Sequence, residues 1–409
     1  MLRRHGSHET KSFENDGAVL RVSGQVLTIL ERRIDVRGGH EETQVDAIRA
    51  LSGREDLEVL TSTAAPAGHT TKAGSPYPLH RCLAPSAHKA EAGDEMLKAD
   101  IPQLAAFFAA RTRPRSLLVP TATSYDIRLI LGALEHGEMP ATIALRLLEE
   151  RHVAALSPVA RESLRHHVAN GRLTLVTETA SLSDHLRAKH GLPSRPDLVL
   201  PCSLMPDSSV AVNRMHGRFR VGFLGNARRE KGWHDLPEII GALSTRAARD
   251  PMPRKIEFIV PRARKSVLKP SNMSRSARLH IKARAGGVFR RDVIVRRSAK
   301  FMPDDEFIAH LQSLDLVVLP YRPANYAHRG SGVILDAVLA QKPLVYSDGI
   351  GMGEYLRFGN AIAAQNAKEF AEGIRKILGD PDACRDGCAA ANDFAQNQFT
   401  IAADFLRTL

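Results

Sequence analysis

Two kinds of stretch alternate along this chain: unbroken apolar runs of strand length, and segments in which apolar residues return every three or four positions. The first half opens on Val19 to Glu31 (VLRVSGQVLTILE), which predicts one or two strands. Helical spacing follows at Val45, Ile48 and Leu51, then a strand over Leu57 to Leu60. Residues 61–93 are rich in Pro, Gly, Ala, Ser and His and predict one long loop, of a length that in a compact domain is functional or mobile. A helix is predicted from Ile101 to Ala110, a strand at Leu117 to Val119 closed by Pro120, and helices over Ile127 to Leu134 and Ala141 to His152. Leu173 to Val176 reads as a strand, Leu182 to His190 as a helix ended by Gly191, and Leu198 to Leu200 as the last strand of this half.

After a polar stretch the pattern restarts. Phe219 to Leu224, Ile256 to Val260, Val293 to Val295, Leu316 to Leu319 and Leu344 to Tyr346 predict strands. Between and after them, Trp233 to Leu243, Asp304 to Leu314, Val333 to Ala340 and Phe370 to Leu378 predict helices, and Ala389 to Leu409 a helix with breaks. Strands that alternate with helices argue for mostly parallel sheets covered on both faces. The expected organisation is a disordered tail (1–17), a first α/β domain (18–205), a linker (206–218), a second α/β domain (219–395) and a terminal helical segment (396–409). A chain of 409 residues suffices for two domains with separate cores.

Composition adds little except in charge. The net charge of +12 is concentrated between Arg254 and Lys300, where fifteen Lys and Arg stand against Glu257 and Asp292. Such a segment suits an anionic surface or a diphosphate, or is simply a solvated basic face. Its aromatics are sparse (Phe258 and Phe289), which argues against stacking on nucleic-acid bases. Four cysteines, at 82, 202, 384 and 388, are too few and scattered for a disulfide framework, and no His or further Cys accompanies the last pair as a zinc site would require. No signal peptide and no apolar run of membrane-spanning length is apparent, so the expected location is cytoplasmic.

The chemistry gathers in two stretches. In Leu319 to Glu354 a strand ends in a polar loop with Tyr321, Arg322, Tyr326, His328 and Arg329. Gly330-Ser331-Gly332 then opens a helix, and after the next strand a glycine-rich loop leads through Met352 and Gly353 to Glu354. Glycines let a ligand approach the backbone, and the N–H groups at the start of the helix favour an anion. Asp336, one turn in, suits a vicinal diol such as a ribose. The second stretch, Gly225-Asn-Ala-Arg-Arg-Glu-Lys-Gly232, lies between a strand and a helix and carries Arg228, Arg229 and Lys231. Either stretch read alone is also an ordinary strand–loop–helix turn.

Together they resemble the donor half of GT-B glycosyltransferases, in particular glycosyltransferase family 4. That family has a Gly-Arg-x4-Lys-Gly element and a Glu-x7-Glu motif. Lys231 and Gly232 match the first, with Asn226 in place of its Arg; Asp336 matches the second acid of the other, with His328 in place of the first. The resemblance covers 219–395 well and 18–205 only as a weak pattern.

It implies two Rossmann-like domains with parallel sheets facing a central cleft, and transfer of a sugar from a nucleotide-diphosphate donor with retention and without an obligatory metal or other cofactor. It places Gly225, Lys231 and Arg228 or Arg229 at the diphosphate. Ser331, Gly332, Val333, Met352 and Gly353 would face the donor through their backbones, with Arg329 beside them and Asp336 at the ribose. His328 and Glu354 would lie near the sugar, and His40, after Gly38-Gly39, across the cleft by the acceptor. The acceptor would be a glycan, a lipid-linked saccharide or a small molecule, with peripheral contact to an anionic membrane and no nucleic acid. The alternative is a non-catalytic protein of this fold that binds a nucleotide sugar or a partner.

Overall fold

A computed structural model describes residues 25–34, 41–62, 77–84, 94–203, 217–249, 253–261, 293–299, 302 and 304–409. The predicted tail, His40, most of the linker and most of the basic segment lie outside these residues, and so does the expected membrane contact.

Twelve strands form two parallel sheets. The first contains β1 (Val26–Leu30), β2 (Leu57–Ser62), β3 (Leu79–Leu83), β4 (Arg115–Val119), β5 (Thr142–Leu147) and β6 (Leu173–Thr177), in the order β3-β2-β1-β4-β5-β6. The second contains β7 (Phe219–Gly222), β8 (Ile256–Pro261), β9 (Val293–Ser298), β10 (Leu316–Leu319), β11 (Leu344–Ser347) and β12 (Ala361–Ala364), in the order β12-β11-β10-β7-β8-β9. These are one topology used twice. In each sheet the chain starts at the centre, winds to one edge, returns to the centre and winds to the other. The crevice where direction reverses, between β1 and β4 and between β7 and β10, is where open α/β sheets bind ligands.

Parallel strands are covered on both faces, so they read as continuous apolar runs rather than alternating ones. Every residue of β1, β2 and β10 is buried. Glu58, the one charge in β2, is kept ionised there by Thr28 Oγ1 at 2.8 Å and Arg115 Nε at 2.9 Å. Burial opposes this, and the hydrogen bonds outweigh it.

Three expectations about strands in the first half need correction. Ala141 to His152, read as a helix, contains the buried strand β5. Leu, Ala and Arg are helix formers, but pairing with β4 and β6 on either side overrides that preference. The predicted loop 61–93 contains β3, an edge strand whose residues are mostly half-exposed and therefore show no apolar run. Leu198 to Leu200 is buried but belongs to no ladder.

The helix Arg385–Thr408 runs unbroken for 24 residues. Its first part sets Ala391, Ala395 and Phe399 into the core beneath the second sheet. Its last part sets Ala402, Phe405 and Leu406, with Leu409 just beyond its end, against Leu27, Ile29, Leu57 and Val59 of the first sheet and the helix Glu41–Ser52. One helix thus completes both cores. No helix among the described residues is long and apolar enough to cross a membrane.

Candidate functional site

At the β7/β10 crevice the two sequence-identified loops meet. Gly232 has φ +68, and a Cβ placed on it would lie 1.5 Å from the carbonyl oxygen of Pro320. The backbone after β7 is thereby pressed onto the backbone after β10, and Arg322 N–H donates to the Glu230 carbonyl at 2.9 Å beside that contact. Replacing Gly232 by Ala should cost well over the ~1 kcal/mol of an ordinary strained residue, because backbone must move against backbone. A melting temperature for Gly232→Ala within a degree of the wild type would refute this.

Lys231 folds back beneath this contact. Its Nζ lies 2.8 Å from where a Cβ on Gly225 would stand, and Gly225 has φ +87. The ammonium sits 5.5 Å from the centre of the buried Tyr321 ring and has no hydrogen bond or ion pair among the described residues. Burial holds its pKa below the usual lysine range, and the cations Arg228 and Arg329 add to the effect. A partly buried, unpaired cation is costly without an anion to meet it. Arg228 and Arg229 are exposed on the rim of this loop, Arg228 3.5 Å from Glu230.

The helix Gly332–Leu339 starts on the other wall of the same crevice. The Gly332 and Val333 N–H groups make no hydrogen bond among the described residues, while Ser331 N–H donates to Met352 Sδ at 3.0 Å. Ser331 Oγ lies 3.3 Å from the Tyr321 hydroxyl, whose pKa burial pushes up to about 12. Met352 is fully buried in the left-handed region at φ +66, which L residues with side chains seldom adopt. Its loop is tied down by Gly351 N–H donating to Tyr326 O at 2.6 Å.

Asp336 is 2% exposed and accepts from Ser203 N–H at 3.0 Å. Cys202 lies against Gly332, and Lys231, Arg146, Glu178 and Asp336 all act electrostatically on its thiol. Lys231, Ser331, Gly332, Val333 and Met352 therefore converge on one crevice with Gly225, while Asp336 lies buried one turn into the helix against Ser203. Gly353 is exposed and Glu354 half-exposed at its edge.

His328 faces elsewhere. Its Nδ1 lies 2.7 Å from Ser181 Oγ, and its ring stacks on His185 at 4.1 Å and 20°. Both partners belong to the helix Ala180–His190 of the other half. Beside them Thr179 Oγ1 donates to His328 O at 2.8 Å, Ser181 Oγ to Ala327 O at 3.2 Å, and Arg329 pairs with Glu149 at 3.2 Å. Next to this seam lies a cavity of about 470 Å³, lined among others by Glu149, Glu150, Glu230, His185, His328 and Arg329.

The seam is expected to respond to pH. Burial first, and then the charge of His328, hold the His185 pKa below its ordinary value, partly opposed by Glu150. A depressed histidine favours the neutral form in the closed seam. The contact is therefore at full strength above the ordinary value of about 6.5 and weakens as pH falls through it. Thermal denaturation should lose stability between pH 7 and 5 more steeply in the wild type than in His185→Phe, which keeps the stack and cannot titrate. Parallel curves would refute this.

The first sheet contributes a polar floor whose members lie far apart in sequence. Glu31 follows β1, Thr121 follows β4, Arg146 lies near the end of β5 and Glu178 follows β6. Thr121 meets both Glu31 and Gln44, the latter at 3.2 Å; Arg146 Nη1 reaches the same Gln44 oxygen at 3.5 Å; Arg146 Nη2 lies 3.3 Å from Glu178 Oε1. Burial, and then Glu41 and Asp126, push the Glu31 pKa up to about 8. The available signal was one of position, a charged residue immediately after a buried strand. No group of three or more His, Cys, Asp or Glu among the described residues is placed to hold a metal ion.

No family model and no curated protein sequence matches this chain. Solved structures do. An α,α-trehalose 6-phosphate synthase from Burkholderia multivorans superposes with a TM-score of 0.61 at 12% identity, over 94% of this chain and 95% of that one. Anabaena Alr3699/HepE in complex with UDP and glucose gives 0.59 at 16%, over 93% and 97%. The apo form of the lipopolysaccharide outer core galactosyltransferase WaaB gives 0.60 at 10%, over 93% and 98%. At these identities the likeness is one of fold: two Rossmann-like domains in the GT-B arrangement.

Proposed function

We propose that the protein transfers a sugar from a nucleoside-diphosphate donor to a saccharide, lipid-linked or small-molecule acceptor, in polysaccharide or glycoconjugate synthesis. The observation that carries this reading is the partly buried Lys231 beside the N–H groups of Gly332 and Val333, all three without a hydrogen-bond partner among the described residues. A diphosphate gains charge as its bond to the sugar breaks. A cation and amides already fixed in place stabilise that charge more in the transition state than in the bound donor. The shared fold with chains whose structures hold UDP and glucose lends further support. Retention at the anomeric carbon, a hexosyl donor and a metal-independent reaction belong to the same proposal and rest on the family resemblance.

The test is a thermal-shift and calorimetry screen of UDP, GDP, ADP and their sugars, followed by donor turnover with membrane and polysaccharide extracts. The expected result is tighter binding of one nucleotide sugar than of inorganic diphosphate, and release of its nucleoside diphosphate in the presence of acceptor. No binding of any nucleotide would overturn the proposal. Binding without turnover on any acceptor would favour the non-catalytic alternative.

A further inference from the structure

With His328 turned to Ser181 and His185 and Arg329 paired with Glu149, the donor loop itself sends no carboxylate into the crevice at these positions. A carboxylate arrives there from the opposite half. Glu178 is 8% exposed, and a Cβ placed on Gly330 would lie 2.1 Å from its Oε2. Its Oε1 faces Arg146 Nη2 at 3.3 Å, whereas Oε2 makes no hydrogen bond among the described residues. Glu178 acts on the Cys202 thiol together with Lys231, and on the Tyr355 hydroxyl together with Glu354. Oε2 is therefore an acceptor with no hydrogen bond among the described residues, seated against Gly330 and within electrostatic reach of Cys202 and Tyr355.

Arg146 fixes this carboxylate in place. Its Nε donates to Leu198 O at 2.8 Å and its Nη1 to Pro120 O at 3.1 Å, so Nη2 has a defined position. A carboxylate held on one oxygen with the other free accepts hydrogen bonds from hydroxyls without having to be reorganised first. Only glycine at 330 leaves room for it.

We infer that Glu178 binds a hydroxyl of the transferred sugar, supplying from the first half the acceptor that the second half lacks at His328. The inference rests on the nucleotide-sugar reading of the cleft. It predicts a separation. Glu178 should matter for the sugar and not for the nucleotide, because the diphosphate meets Lys231 and the helix N–H groups.

The test compares wild type and Glu178→Gln by calorimetry, using whichever of UDP-, GDP- or ADP-glucose, -galactose or -mannose the wild type binds best, and its parent diphosphate. Glu178→Gln is expected to bind the diphosphate within about twofold of wild type and the nucleotide sugar at least tenfold more weakly. Glu178→Asp keeps the charge beside Arg146 but withdraws Oε2 by one methylene. It is expected to show the same separation to a smaller degree, and it carries the test if the Gln variant does not fold. Equal affinities for both ligands in the variants and the wild type would overturn the inference, and so would an equal loss for both. Either result leaves the donor reading standing. A wild type that binds no nucleotide ends both.

Discussion

Arg146→Met lowers stability by about 3–5 kcal/mol, the cost of breaking a buried ion pair from one side. Arg146 is 1% exposed, so water does not replace what the substitution removes. The carbonyls of Leu198 and Pro120 lose their donor, and Glu178 keeps a buried charge with no cation beside it. The Leu198 contact also pins the segment that leads to Cys202 and Ser203, and so to Asp336. The loss should therefore extend to ligand affinity in whatever fraction remains folded. Chemical denaturation of Arg146→Met and of the double variant Arg146→Met/Glu178→Leu checks this. The double variant should recover the part of the loss that comes from the unpaired Glu178 charge, because it removes both charges. A single variant as stable as the wild type would show that the pair is solvated.

Lys231→Met gives the opposite result for stability. Lys231 has no partner among the described residues, and burial holds its pKa below that of a free lysine. Between the depressed value and the ordinary one of about 10.4, the unfolded chain binds more protons than the folded one, so stability rises with pH in that window. At neutral pH the charged side chain costs the fold something, and removing the charge removes that cost. The melting temperature should stay level or rise. Affinity for a nucleoside diphosphate should fall roughly ten- to a hundred-fold, the equivalent of a charged hydrogen bond of about 1.5–3 kcal/mol. A fall in stability, or an unchanged diphosphate affinity, would remove Lys231 from the anion site. Two cations close to one cysteine are thus expected to part company: one maintains the fold, the other is maintained by it at a cost.

The sequence showed the second half better than the first. β10, the helix after Ser331 and the Lys-Gly loop could be read because each is short-range: an apolar run, a glycine at a helix start, a cation before a left-handed glycine. β5 could not, because its residues favour a helix when read alone, and Arg146 at its end was misplaced with it. β3 could not, because an edge strand with half-exposed residues carries no apolar signature. The orientation of His328 was beyond local reading: its partners Ser181 and His185 lie far away in sequence and become neighbours only when the sheets face each other. The same holds for Glu178 and Gly330. The position of Glu178 after a buried strand was visible, but what it touches was not.

The helix Arg385–Thr408 also bears on how the protein is made. The apolar face formed by Leu27, Ile29, Leu57 and Val59 is closed by Ala402, Phe405, Leu406 and Leu409. At a synthesis rate of about 5–20 residues per second, the first sheet leaves the ribosome some tens of seconds before its cover exists. During that interval the nascent first half exposes a surface that belongs in a core, a ready binding site for chaperones and for other copies of itself. Ribosome-stalled chains ending near residue 380 should remain protease-sensitive in the first half, and full-length chains should not.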